Sequence, residues 1–176
     1  MSRAAIVSLL LLAACARSKD SWSTYRAQDG RFTVRVPAPP VEATKPQPGG
    51  NVTTVLVDRH DAGMFQVAHY AMPAIAGAAA DTIDAALKVD CLAPYEDSLL
   101  IPQDDPKSRP LGAHRGIVMS GRADRSTKLP NGGYEEDRCY YIGDRLYHLI
   151  AIVPDDDTGR ADVARFLDSF TLAASP

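Results

Sequence analysis

No run of about 20 apolar residues occurs in this chain, so nothing in it is long enough to cross a bilayer as a helix. Positive charge is also scarce: 19 Lys and Arg stand against 22 Asp and Glu, a formal net charge of −3. That balance argues against a nucleic-acid surface, which needs a basic stripe, and against polybasic attraction to lipid headgroups. The catalytic signatures G-x-S-x-G, H-E-x-x-H, the P-loop and G-x-G-x-x-G are all missing. No internal repeat and no second domain can be read from the pattern. What is present has a globular composition, with Pro and Gly gathered between candidate elements.

The clearest positive signal lies at the start. Arg3 precedes a short apolar run from Ala4 to Leu12, followed by Ala13, Ala14 and Cys15. A basic head, a short apolar stretch and small residues make a secretory signal peptide. Ending at Leu12-Ala13-Ala14-Cys15, it resembles the lipobox of bacterial lipoproteins. The resemblance implies cleavage before Cys15, acylation of that Cys and attachment to the membrane through it. A plain secretory signal cut at the same small residues is the alternative. Ala16 rather than Asp follows the Cys, which by the same resemblance implies the outer membrane, with the domain facing the periplasm. Each buried CH₂ of an acyl chain contributes about 0.8 kcal/mol, and more than one chain is needed for durable attachment. The expected division is a signal peptide over 1–14, a lipid-anchored tether over 15–21 and a single domain over 22–174. Removing residues 1–14 from 176 leaves 162, with 18 basic and 22 acidic residues; that is one domain with room for a core.

Acylation of Cys15 would leave two cysteines, Cys91 and Cys139, 48 residues apart. In an oxidising compartment a disulfide is the economical expectation; two buried thiols that never meet is the alternative.

Periodicity organises the rest. Residues 23–27 read as a strand that turns at Asp29-Gly30 into 31–36, where Phe32, Val34 and Val36 share one face. Pro37, Pro39 and Pro40 stop it, and 42–50 read as a surface loop. Strands follow at 52–58 and 64–72, around a turn at Asp61-Ala62-Gly63. Residues 81–93 read as a helix with Asp81 as N-cap, and Ile83, Leu87 and Cys91 recurring every four residues turn Cys91 to the core. One short strand is expected near 99–101, then strands at 116–125 and 134–142 joined by Asn131-Gly132. Gly143-Asp144 leads into 146–153, apolar on both faces, which belongs in mid-sheet. Val163, Phe166, Leu167 and Phe170 form the stripe of a second helix over 158–169, introduced by Asp155 to Asp157.

The order of Trp22, Tyr25, Asp29-Gly30-Arg31-Phe32-Thr33-Val34-Arg35-Val36-Pro37, Ile142-Gly143-Asp144-Arg145-Leu146-Tyr147 and Arg165-Phe166-Leu167-Asp168-Ser169-Phe170 resembles the small bacterial PsbP-like proteins. The resemblance implies an α+β fold, an antiparallel β-sheet flanked by helices on both faces (an α/β/α sandwich of the PsbP/Mog type). Members of that family mostly bind and stabilise other proteins and share no active site. The metal and photosystem contacts of PsbP match no residues of this chain. The implied role is a non-enzymatic protein-binding or assembly module, with no cofactor, a protein partner and no nucleic acid. A periplasmic hydrolase or metal-dependent enzyme, or a small-ligand carrier, is the alternative.

Four constellations have both a chemical and a structural reading. A two-residue loop at Gly143-Asp144 sets His148 opposite Cys139: a nucleophile with its base, half a metal site, or a cross-strand contact beside a disulfide with no third group orienting the imidazole. Asp58, His60 and Asp61 are metal ligands or a solvated turn. Asp155 to Asp157 lack the spacing of an EF-hand and suit a helix N-terminus. Tyr134, Tyr140, Tyr141 and Tyr147 line a protein-binding face or pack across strands. Asn51-Val52-Thr53 matches the glycosylation triplet by chance.

Overall fold

A computed structural model describes residues 21–47, 49–59, 62–92, 100–102, 105–123, 129 and 131–173. Cys15, His60 and Asp61 lie outside the described residues, so the anchor and most of the Asp58 cluster do too. The chain is α+β, with mostly antiparallel strands and two helices. In order these are β1 (Ser23–Arg26), β2 (Phe32–Val36), β3 (Val41–Gln47), β4 (Gly50–Asp58), β5 (Met64–Ala71), α1 (Ala80–Leu92), β6 (Leu100–Pro102), β7 (Lys107–Ser108), β8 (Arg115–Ala123), β9 (Gly133–Ile142), β10 (Arg145–Pro154), α2 (Asp157–Leu167) and β11 (Thr171–Leu172). Among the described residues, no helix is long and apolar enough to cross a membrane.

The larger sheet runs β3-β4-β5-β10-β9-β8-β6, with β7 also on β8. β10 takes the centre, as its two apolar faces require: Leu146, Leu149, Ala151 and Val153 are all buried. The Gly143-Asp144 loop pairs Ile142 with Arg145 and therefore Cys139 with His148. Gly143 adopts φ 66°, a left-handed conformation that costs a residue without Cβ least. β1, β2 and β11 form a separate three-stranded sheet.

Alternation sorts the strands onto two apolar clusters. Phe65, Val67, Tyr140, Tyr147 and Leu149 join Phe32, Val34 and Val36 of the small sheet and Val163, Phe166, Leu167 and Phe170 from α2 and the residues after it. The intervening residues Cys139, Tyr141 and Leu146 pack with Ile117 and with Leu87 and Cys91 of α1. A disulfide joins Cys91 to Cys139. Three of the four tyrosines in question, Tyr140, Tyr141 and Tyr147, are buried, so they serve packing rather than a binding face. Asp156 caps α2, accepting a 2.7 Å hydrogen bond from the Gly159 amide.

Two local expectations need correction. Residues 42–50 are not a loop but mostly β3, an edge strand exposed along nearly its whole length. Its hydrogen bonds run to β4, and Pro46 is tolerated because an edge strand needs partners on one side only. Asp81 is not the N-cap of α1 but sits in its first turn, where its charge still favours the positive helix end. The two-residue strands β7 and β11 are too short to carry a period.

Candidate functional site

Pairing between β5 and β10 sets Ala68 beside His148 and Gln66 beside Ile150. These four side chains share one face of the sheet. Val52 of β4, Tyr70 of β5, the Met72 to Ala74 segment and Asp90 of α1 wall them in, leaving an open hollow of about 640 Å³. Pro73–Ile75 form a single 3₁₀ turn that leads toward α1, and the Tyr141 hydroxyl donates to the Met72 carbonyl at 3.3 Å. The disulfide fastens α1 at the adjoining part of the same face.

His148 is not oriented by Cys139, whose sulfur is committed to Cys91. It meets Asp137 instead, with Nε2 3.4 Å from Oδ2. The expectation that no third group orients the imidazole is therefore wrong, and the reason is register. Residues 135, 137 and 139 point the same way along β9, and Cys139 faces His148. That period was the available signal, but Glu135 and Asp137 read naturally as a solvated face. Both are in fact buried. The second carboxylate oxygen of Asp137, Oδ1, is buried without a hydrogen-bond partner among the described residues.

Burial therefore sets the protonation of this cluster. It raises Glu135 to about 7, against a smaller downward pull from His148. Asp137 is raised by burial too, with the His148 contact opposing. Asp90 is raised by burial, and Tyr70 is pushed up to about 12 by burial and then by the charge of Asp90. From its ordinary value of 4.5 to about 7, Glu135 keeps in the native state a proton that the unfolded chain has released. Stability consequently falls as pH rises through that window, by about 3 kcal/mol at its end for this one group. Glu135→Gln should raise the melting temperature at pH 8 and leave it nearly unchanged at pH 5. A gain equal at both pH values would show that Glu135 is not a buried, protonated acid.

Other polar groups are structural. Arg138 is buried on the opposite face and holds Glu136 at 2.9 Å and Asp168 at 2.6 Å, and Arg109 reaches the same Asp168 carboxylate at 3.2 Å. This network ties β9 to the C-terminal end of α2. The Tyr25 hydroxyl donates to Glu42, linking β1 to β3. A second hollow of about 600 Å³ is lined by Asp29, Arg31, Asp144 and Arg145. There Arg31 pairs with Asp29 at 3.1 Å and Arg145 contacts buried His69 at 3.3 Å. Among the described residues, no three His, Cys, Asp or Glu side chains are grouped as metal ligands. Asn51-Val52-Thr53 lies within β4.

No family model matches the chain, and no curated protein matches its sequence significantly. Solved structures do match. The solution structure of cyanobacterial PsbP (CyanoP) from Synechocystis sp. PCC 6803 aligns with a TM-score of 0.52 at 11% identity, covering 92% of this chain and 99% of that one. A crystal structure of PA94, a protein of unknown function from Pseudomonas aeruginosa, gives a TM-score of 0.40 at 10% identity, covering 81% of this chain and 90% of that one. At such identity the first likeness speaks to architecture alone, and this chain has a PsbP-like α+β fold.

Proposed function

We propose that this chain is a lipid-anchored protein of the bacterial envelope whose domain binds a protein partner rather than catalysing a reaction. Cys15 carries the acyl chains in the outer membrane, and the domain faces the periplasm. Its body is an α/β/α sandwich with α1 and α2 on opposite faces of the sheet; the alternation of β9 and β10 residues between the two apolar clusters supports this. The observation that carries the binding role is the hollow beside α1. It is open, its floor is largely aliphatic, and among the described residues its lining holds no Ser, Thr, Cys or Lys. Such a surface can hold another chain.

The Asp137 and His148 contact favours a second reading, a periplasmic hydrolase, because it supplies a base and the group that orients it. That reading still requires a nucleophile brought by water or substrate. A small-ligand carrier would call for an enclosed cavity, and the hollow is open.

Photocrosslinking in intact cells separates these readings. With p-benzoylphenylalanine in place of Gln66, on the hollow, a discrete protein adduct is expected. The same group in place of Ala161, exposed on α2, should give none. Adducts from both positions alike, or from neither, would remove the docking role. In the same cells Cys15→Ala should move the protein to the soluble fraction, and its retention on membranes would remove the anchor.

A further inference from the structure

Among the described residues, Asp90 on the α1 side is the one Asp, Glu, Lys or Arg lining the hollow. Among the described residues no salt bridge reaches that carboxylate, and Arg115 pairs with Asp84 of the same helix at 2.7 Å. Two lysines lie on elements that border the hollow. Lys88 is on α1 and Lys45 pairs with Val52 across the sheet edge, but both are exposed and neither lines the hollow. Beside the floor and on the same face, Asp137 stands against His148, its second oxygen without a partner among the described residues, and Glu135 follows it.

Resting on the docking role proposed above, we infer that the hollow receives a basic segment of the partner protein, seating a Lys or Arg side chain with its stem on Val52, Ala68 and Ile150 and its cationic head at Asp90 beside the Tyr70 ring. Long basic side chains lie in this way, stem on apolar surface and head at a charge. An aromatic face next to the carboxylate adds attraction for the same cation. A negatively charged segment would meet Asp90 with no Lys or Arg of the described lining to offset it. A purely apolar segment would bury that carboxylate unpaired, at a cost.

Full-length protein in detergent micelles tests this with a short labelled Lys-Leu-Lys-Leu-Lys peptide, its Glu counterpart and its Gln counterpart. The Lys peptide should bind, with amide shifts confined to Ala68, Tyr70, Ile150 and the C-terminal part of α1. Asp90→Asn should weaken it about tenfold, the size of one charge-assisted contact. Asp81→Asn, on the same helix outside the hollow, should leave binding unchanged. Equal binding of the Glu or Gln peptide, or no effect of Asp90→Asn, would overturn the inference. So would shifts at the same residues that track protein concentration alone, which would assign the hollow to a second copy of this chain. If Gln66 adducts persist in cells while the Lys peptide fails, the docking role stands and its basic occupant does not. If both fail, both are wrong.

Discussion

Reduction of the Cys91–Cys139 bridge should lower the free energy of unfolding by about 4 kcal/mol. The bridge closes a loop of 48 residues, and the chain-entropy model gives that figure for a loop of this length. The loss will not spread evenly. Among the described side chains, α1 buries Leu87 and Cys91 in full, with Ile83 partly covered, and Val89 stands exposed on it. Its attachment thus leans on the covalent link. α2 buries Val163, Phe166 and Leu167 and is capped by Asp156, so it needs no such link. Thermal melts with and without a phosphine reductant should differ by roughly 8 to 16 °C for a domain of this size. Hydrogen exchange should show α1 amides losing protection first while α2 retains it. A melting temperature indifferent to reductant, with alkylation after reduction confirming two new adducts, would show that packing alone holds α1. Because α1 supplies Asp90, the reduced protein should also lose affinity for basic peptides.

Phe32→Ala should cost a further amount of the same order, about 3 to 5 kcal/mol. The ring is 0% exposed and belongs to β2 of the small sheet, yet its neighbours lie elsewhere. Its centroid is 5.3 Å from Phe170, 5.7 Å from His69 and 6.1 Å from Tyr147. These residues come from the segment after α2, from β5 and from β10, so one side chain clamps the small sheet to the large one. Urea titration should show a lower midpoint with an unchanged slope, the mark of lost stability without altered compactness. Phe32→Leu should fall between, and Val41→Ala, at a site 69% exposed, should stay within about 0.5 kcal/mol of the parent. A Phe32→Ala loss below about 1 kcal/mol would mean that the small sheet docks by other contacts.

Strand identity was legible because side-chain direction in a strand is local. Phe32, Val34 and Val36, or Cys139 and Tyr141, announce a face by alternation alone. Register across the β9–β10 hairpin was equally local, since a two-residue loop determines every pair after it, Cys139 with His148 included. The doubly apolar run of β10 specified mid-sheet placement. β3 escaped notice because an exposed edge strand has no buried face to leave a period; it exists through its backbone bonds to β4.

The hollow could not have been read in the same way. Its walls come from residues near 50, 70, 90 and 150, and no local pattern brings such distant segments together. Glu135 and Asp137 illustrate the point. Two acids alternating along a strand imply solvent until something covers that face, and whether it is covered depends on how remote segments pack. Short-range stereochemistry thus determined the alternation along the half-buried strands and the pairing across the tight β9–β10 hairpin. Only packing between elements far apart in the chain decided that two carboxylates would be buried beside His148 and that an open surface would remain beside Asp90. Burial and electrostatic environment depend on every neighbour in space, whereas periodicity depends on the next few residues alone.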